Sequence, residues 1–230
     1  MLAPAELKEI HPLGKSPMIG IQTPNMAEPK IIIESGNIVE YIAEHFGKHL
    51  IPARYPEGKE GQVGAETEAY MRYKTYMHYA EGSMMPPLLI TLVVYSKNHG
   101  HRNPLSIHLT KRTDIRNAPA PFFIKPITRG IADKIEGVFS KQLETHFTYL
   151  ESQIASSPNG GEFLCGKRLS GADFMMVFPL EASMGRAGLT REKYPKLTAY
   201  IERLQQRDTY QRAVRAIEKA TGEPYDPSLT

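Results

Sequence analysis

The apolar residues change their period several times within the first fifty positions. The segment Pro4 to Glu9, PAELKE, has a short helical pattern with proline in its first turn, and His11-Pro12 ends it. Residues 18–21 and 31–33 are short β-rich runs. The polar, proline-containing QTPNMAEPK between them predicts a hairpin. SGNIVEYIAEHFG follows, with Ile38, Ile42 and Phe46 recurring every four residues. It predicts a helix capped by Ser35 and stopped by Gly47.

Residues 52–64, PARYPEGKEGQVG, have the proline, glycine and charge of a linker. Beyond them helical periods run through 65–95, 130–155, 171–186 and 195–220, with no strand of comparable quality. The pattern predicts an α+β chain. Residues 1–53 form a small mixed unit, 54–64 a linker, 65–220 an all-helical domain and 221–230 a flexible tail. One stretch fits no period: 97–121, KNHGHRNPLSIHLTKRTDIRNAPAP, an atypical loop within the helical part. Its histidines, His99, His101 and His108, have no carboxylate or cysteine ligand at useful spacing, so we expect a solvated loop and no metal site.

Composition narrows the classes of function. A chain of 230 residues, 41% hydrophobic and 23% charged, is that of an ordinary globular protein able to bury a core. Its net charge of +3 comes from scattered basic residues and argues against a nucleic-acid partner. The single cysteine, Cys165, excludes an internal disulfide framework and fits a reducing compartment. The longest apolar run, PPLLITLVVY, is about half a membrane span, and MLAPAELKEI lacks the apolar core of a signal peptide. A cytoplasmic protein without a transmembrane segment is expected.

Two short motifs suggest chemistry. In KSPMIG a proline opens the first apolar run, and an X-Pro bond can be held cis at a cost of about 0.5–1 kcal/mol. That would present the main chain of Ser16 to an extended peptide, as a neighbouring strand would. Glu34-Ser35 stands at a helix start, where free N–H groups and a partial positive charge suit a carboxylate. The Ser35 hydroxyl can donate to that carboxylate and Glu34 can accept from an ammonium, a pair that fits the head of an amino acid. Lys15 could hold a second carboxylate farther along the ligand. Taken singly, Ser-Pro is a common turn dipeptide and Ser35 an ordinary cap. Their order along the chain gives them weight.

That order, and the motifs HPLGKSP, ESGNIVEYI, YMHYAEGSMMPPLL, APFFIKPI and FLCGKRLSGADFMMVFPLE, resemble the cytosolic glutathione transferases, in particular the fungal group similar to the yeast enzymes. The resemblance implies a thioredoxin-like N-terminal domain followed by an all-α domain. It further implies a homodimer and conjugation of the glutathione thiol to hydrophobic electrophiles, with glutathione as co-substrate. Ser16 and Pro17 would match the cis-proline pair on the cysteinyl backbone, Glu34 and Ser35 the γ-glutamyl pair, and Lys15 a lysine on the glycyl carboxylate. The helix of Tyr70, Tyr73, Tyr76 and Tyr79 reads as core or dimer contact, yet in the resemblance it borders the electrophile pocket, which makes Tyr73 and Met77 candidates there. His78 has no carboxylate partner at a set spacing. Detoxification, peroxide reduction and a metabolite-tailoring step all suit the motifs equally.

The sequence departs from the family pattern twice. The resemblance implies a strand, a helix and a strand before Pro4, roughly 35–45 residues at ordinary element lengths, carrying the hydroxyl or thiol that acts on the glutathione sulfur. No residue present takes that role by motif, and Cys165 matches a position in the helical domain where a small buried thiol is expected. The resemblance also implies that VVYS passes almost directly into APFFIKPI, without 97–116 between them. We expect a downstream start and a retained intron. If instead the chain is authentic, a catalytically impaired relative, or a non-catalytic binding or scaffold protein, is the alternative.

Ser170 and Asp173 form an S-x-x-D capping box with Leu169 and Phe174 placed as its hydrophobic staple, a folding feature.

Overall fold

The computed structural model describes residues 5–95, 125–184 and 187–227, so the atypical stretch at 97–121 and its histidines lie outside the described residues. The first unit is a helix, a hairpin and a helix. Helix α1 spans Ala5–Ile10; strand β1, Met18–Ile21, pairs antiparallel with β2, Lys30–Ile33. The register sets Met18 opposite Ile33 and Ile21 opposite Lys30. Helix α2, Ser35–Phe46, packs back on both strands.

The start of α2 differs from expectation. Glu34 holds the N-cap position at φ 71°, ψ 124°, and Ser35 is already helical. No side chain caps this end. The Asn37 amide instead donates to the Ile33 carbonyl, and the Ile38 N–H closes the first turn on the Glu34 carbonyl at 2.9 Å. A single residue separates β2 from α2, so the chain reverses at one positive-φ position with no room for a separate cap residue.

The buried face of α2 also drifts from the predicted stripe. Ile38 is buried, but Ile42 is 42% and Phe46 79% exposed, and Ala43 is fully enclosed instead. A repeat of four advances about 40° beyond a full turn each time, so the stripe rotates out of contact. The small residues Gly36, Val39 and Ala43 let α2 come close to its neighbours.

The remaining helices form one core. Helix α3, Glu68–Tyr79, starts at Thr67, whose hydroxyl oxygen accepts from the Tyr70 N–H, an ordinary N-cap. It passes through a π-helical turn, Ala80–Met84, into α4, Met85–Tyr95. Helix α5 spans Lys125–Ala155, starting five residues earlier than the period predicts. Helix α6, Gly171–Ser183, is buried on nearly every side, which its apolar composition allows. The last predicted helix is two: α7, Pro195–Gln205, and α8, Asp208–Thr221. After α8, Gly222 turns left-handed and Tyr225 folds back, its N–H donating to Glu218 and its hydroxyl to Glu181. No helix among the described residues is long and apolar enough to cross a membrane.

Candidate functional site

Both sequence motifs lie at one end of the hairpin. The Ser16–Pro17 peptide bond is cis and leads directly into β1. The register ends at Met18 paired with Ile33, so Ser16–Pro17 precede and Glu34–Ser35 follow the last pair at the same end of the hairpin. Lys15, Ser16 and Pro17 are exposed there. Both dipeptides thus flank the Met18–Ile33 pair, with Lys15 one residue before Ser16.

Beside this turn is a cleft of about 240 Å³. Glu34, Ser35, Gly36 and Asn37 form one wall, the first turn of α2, where amide groups precede the first intrahelical bond. Met77, His78 and Glu81, from the end of α3 and the π turn, form the other, and Met175 of α6 contributes as well. Glu40, also on the cleft, is engaged by Lys74 Nζ at 2.8 Å, an ion pair that ties α2 to α3. The arrangement places a helix N-terminus, a hydroxyl and carboxylates around one small space, suited to a ligand bearing both a carboxylate and an ammonium.

The two pocket candidates on α3 separate. Met77 reaches the cleft, whereas Tyr73 is 3% exposed and sits in the core with its ring against Gly171. Burial, helped by the charges of Glu40 and Glu44, pushes the Tyr73 hydroxyl up to about 12. Of the other tyrosines in the stripe, Tyr76 is buried, and the Tyr79 hydroxyl meets Nδ1 of His146 on α5.

Away from the cleft, the capping box is formed as predicted. Asp173 Oδ2 accepts from the Ser170 N–H at 2.7 Å and from the Ser170 hydroxyl at 2.8 Å. Its other oxygen accepts from the Leu164 N–H and the Tyr200 hydroxyl, so this carboxylate also joins the loop before α6 to α7. The staple residues Leu169 and Phe174 lie on one groove, with Phe174 still 45% exposed. Cys165 is buried as expected, and burial pushes its thiol up to about 12. The sequence reading missed Gly36, Asn37, Glu40 and Glu81 as cleft residues. The glycine and asparagine directly after Ser35 were the available signal; nothing local marks Glu40 or Glu81.

Comparison with known proteins bears on the family. A family model described as glutathione S-transferase, C-terminal domain, matches residues 113–211. Glutathione S-transferase 1 of Saccharomyces cerevisiae is 31% identical over 210 residues, 90% of this chain and 76% of its own length. Among solved structures, a glutathione S-transferase from Actinobacillus pleuropneumoniae superposes with a TM-score of 0.59 at 22% identity, over 98% of this chain and 78% of that one. A Phanerochaete chrysosporium glutathione transferase in complex with oxidized glutathione gives 0.60 at 14% identity, over 94% and 79%. These two share the fold, a partial thioredoxin-like unit joined to an all-helical domain in this chain. With a relative this similar along nine-tenths of its length, the chain belongs to the glutathione S-transferase family.

Proposed function

We propose that the chain binds glutathione along the end of the hairpin and conjugates its thiol to a small hydrophobic electrophile, the sulfur losing its proton as it bonds to the electrophilic carbon. The cysteinyl backbone lies along the main chain of Ser16, before Pro17. The γ-glutamyl head sits on the turn at Glu34 and Ser35, and Lys15 faces the glycyl carboxylate. The observation that supports this reading is the cis Ser16–Pro17 bond leading into β1, at the same hairpin end as the Glu34–Ser35 turn that lines the cleft. Met77 borders the space nearest the ligand head, and the electrophile lies between the α2 turn and α3.

The thiol itself limits the rate. A free thiol ionises near 8.5, and the thiolate is the attacking form. Tyr73 and Cys165 are both buried and held protonated, so neither supplies a donor to a sulfur lying on the hairpin. This chain alone therefore binds glutathione better than it activates it. We place the protein in the cytoplasm, as a homodimer.

Isothermal titration of the full chain with glutathione, alongside turnover of a generic aryl halide, tests the reading. Micromolar to millimolar binding that weakens in Ser35→Ala is expected. Absence of any glutathione binding would remove the proposal, and binding without turnover would identify a binding protein of the same family.

A further inference from the structure

Helix α2 rests on the first turn of α6 through two glycines, and the two contacts are unequal. A Cβ at Gly36 would meet the Met77 carbonyl oxygen at 3.8 Å and Met175 Cε at 3.9 Å, ordinary contact distances. A Cβ at Gly171 would lie 3.1 Å from Val39 Cγ1, 3.2 Å from Tyr73 Cε2 and 3.4 Å from the Tyr73 hydroxyl. Gly171 is thus the tighter point, where an added side chain requires a neighbour to yield by a few tenths of an ångström.

The three elements meeting there differ in what they can yield. The start of α6 cannot retreat, because Ser170 and Asp173 bind each other and Asp173 is also held by Leu164 and Tyr200. Tyr73 is enclosed in the core. Helix α2 is the free member: Val39 is only partly buried, and Ile42 and Phe46 on its outer side face solvent. Val39 lies one turn beyond Ser35, on the same helix face. A push on Val39 therefore displaces the turn that carries Glu34 and Ser35.

We infer that Gly171 is a positioning residue for the glutathione head: the missing side chain at the start of α6 seats α2, and α2 sets the place of Glu34 and Ser35. The inference rests on the proposed glutathione site. It adds that the head subsite is set from the helical part of the chain, by a residue that does not touch the ligand.

The test is a set of glutathione titrations and thermal melts on the full chain. Gly171→Ala is expected to weaken glutathione binding by about tenfold, the scale at which a displacement of part of an ångström degrades a preorganised site. Its melting temperature should hold, since alanine favours a helix more than glycine does. Adding Val39→Ala should return the affinity to near that of the wild type, which a purely structural role for Gly171 would not do. Val39→Ile, which fills the same gap from the other side, should weaken binding as well, and it decides the matter if Gly171→Ala does not fold. Unchanged affinity in Gly171→Ala and Val39→Ile, or loss of affinity that Val39→Ala fails to restore, overturns the inference while leaving the glutathione site standing. A wild-type chain that does not bind glutathione removes both.

Discussion

The Tyr200 hydroxyl donates to Oδ1 of Asp173 at 2.7 Å, with both side chains enclosed in the core. Four donors converge on this one carboxylate, from Leu164, from Ser170 twice and from Tyr200. Burial pushes the Asp173 carboxyl above the usual carboxylate range, and the bonds from Tyr200, Ser170 and Leu164 oppose that rise. Asp173→Ala would leave those donors buried without an acceptor. We expect a loss of about 3 kcal/mol or more, well beyond a cap alone, read from the midpoint of urea unfolding. Tyr200→Phe removes one donor and should cost about 1 kcal/mol.

Arg72 closes the end of the long helix. Its guanidinium donates to the carbonyls of Gln153 at 2.8 Å and Ser156 at 2.9 Å, and its Nε to Glu68. Those carbonyls belong to the last turn of α5 and the residue beyond it, where backbone acceptors lack partners. Arg72→Lys is expected to lose most of this, about 2 kcal/mol in chemical denaturation, because an ammonium cannot reproduce the fork.

The Tyr79–His146 contact gives stability an acid limb. Burial holds the His146 ring below its ordinary value, so the folded state resists protonation while the unfolded chain takes up the proton near pH 6.5. Stability associated with this group is complete above that pH and falls as pH drops through the window below it. Protonation also makes both ring nitrogens donors, so that only the Tyr79 oxygen is left to accept in this contact. Melting temperatures measured from pH 7.5 to 5 should fall, and His146→Gln should flatten the slope.

Cys165 gives the opposite limb. Burial keeps its thiol protonated to about 12, whereas an unfolded cysteine ionises near 8.5. The associated stability is complete below that value and is lost as pH rises beyond it. In native protein at pH 8 the thiol should resist a chromogenic disulfide reagent for hours, then react at once in denaturant. Cys165→Ala should leave glutathione affinity unchanged.

Glu34 carries backbone strain at the proposed ligand turn. A φ of 71° is costly for a residue with a Cβ and open to glycine. Glu34→Gly should raise stability by about 1 kcal/mol and weaken glutathione binding in the same protein, a trade visible by melting and titration together.

The sequence made the elements legible wherever periodicity and punctuation agreed. Both strands, the body of α2 and the Ser170–Asp173 box were readable from β-rich runs, turn residues and helical period, whereas the cap of α2 and the split of 65–95 into two helices around a π turn were not. Ile42 and Phe46 misled because a repeat of four looks like a stripe over two turns yet rotates away from the core. The break between α7 and α8 was hidden because Gln206-Arg207 contains neither glycine nor proline. Ser16, Pro17, Glu34 and Ser35 were visible as motifs, but their common location depends on a register that only pairing fixes. Gly171 and the Tyr200 contact of Asp173 were out of reach, since each depends on partners 27 to 132 residues away.

The π turn at Ala80–Met84 makes residue count a structural parameter. Each residue of a helix sets the direction of those after it by about 100°, so the wide turn re-phases α4 relative to α3. Tyr76 and Leu88, twelve positions apart, would lie about 120° apart on an unbroken α-helix, and the wide turn absorbs the surplus position so that both point inward. Removing Gly82, which nothing crowds, would let the turn close to an ordinary α-helix and leave Leu88 facing α5. Loss of one residue here keeps the phase of α4, whereas one more would turn its buried face by about 100°.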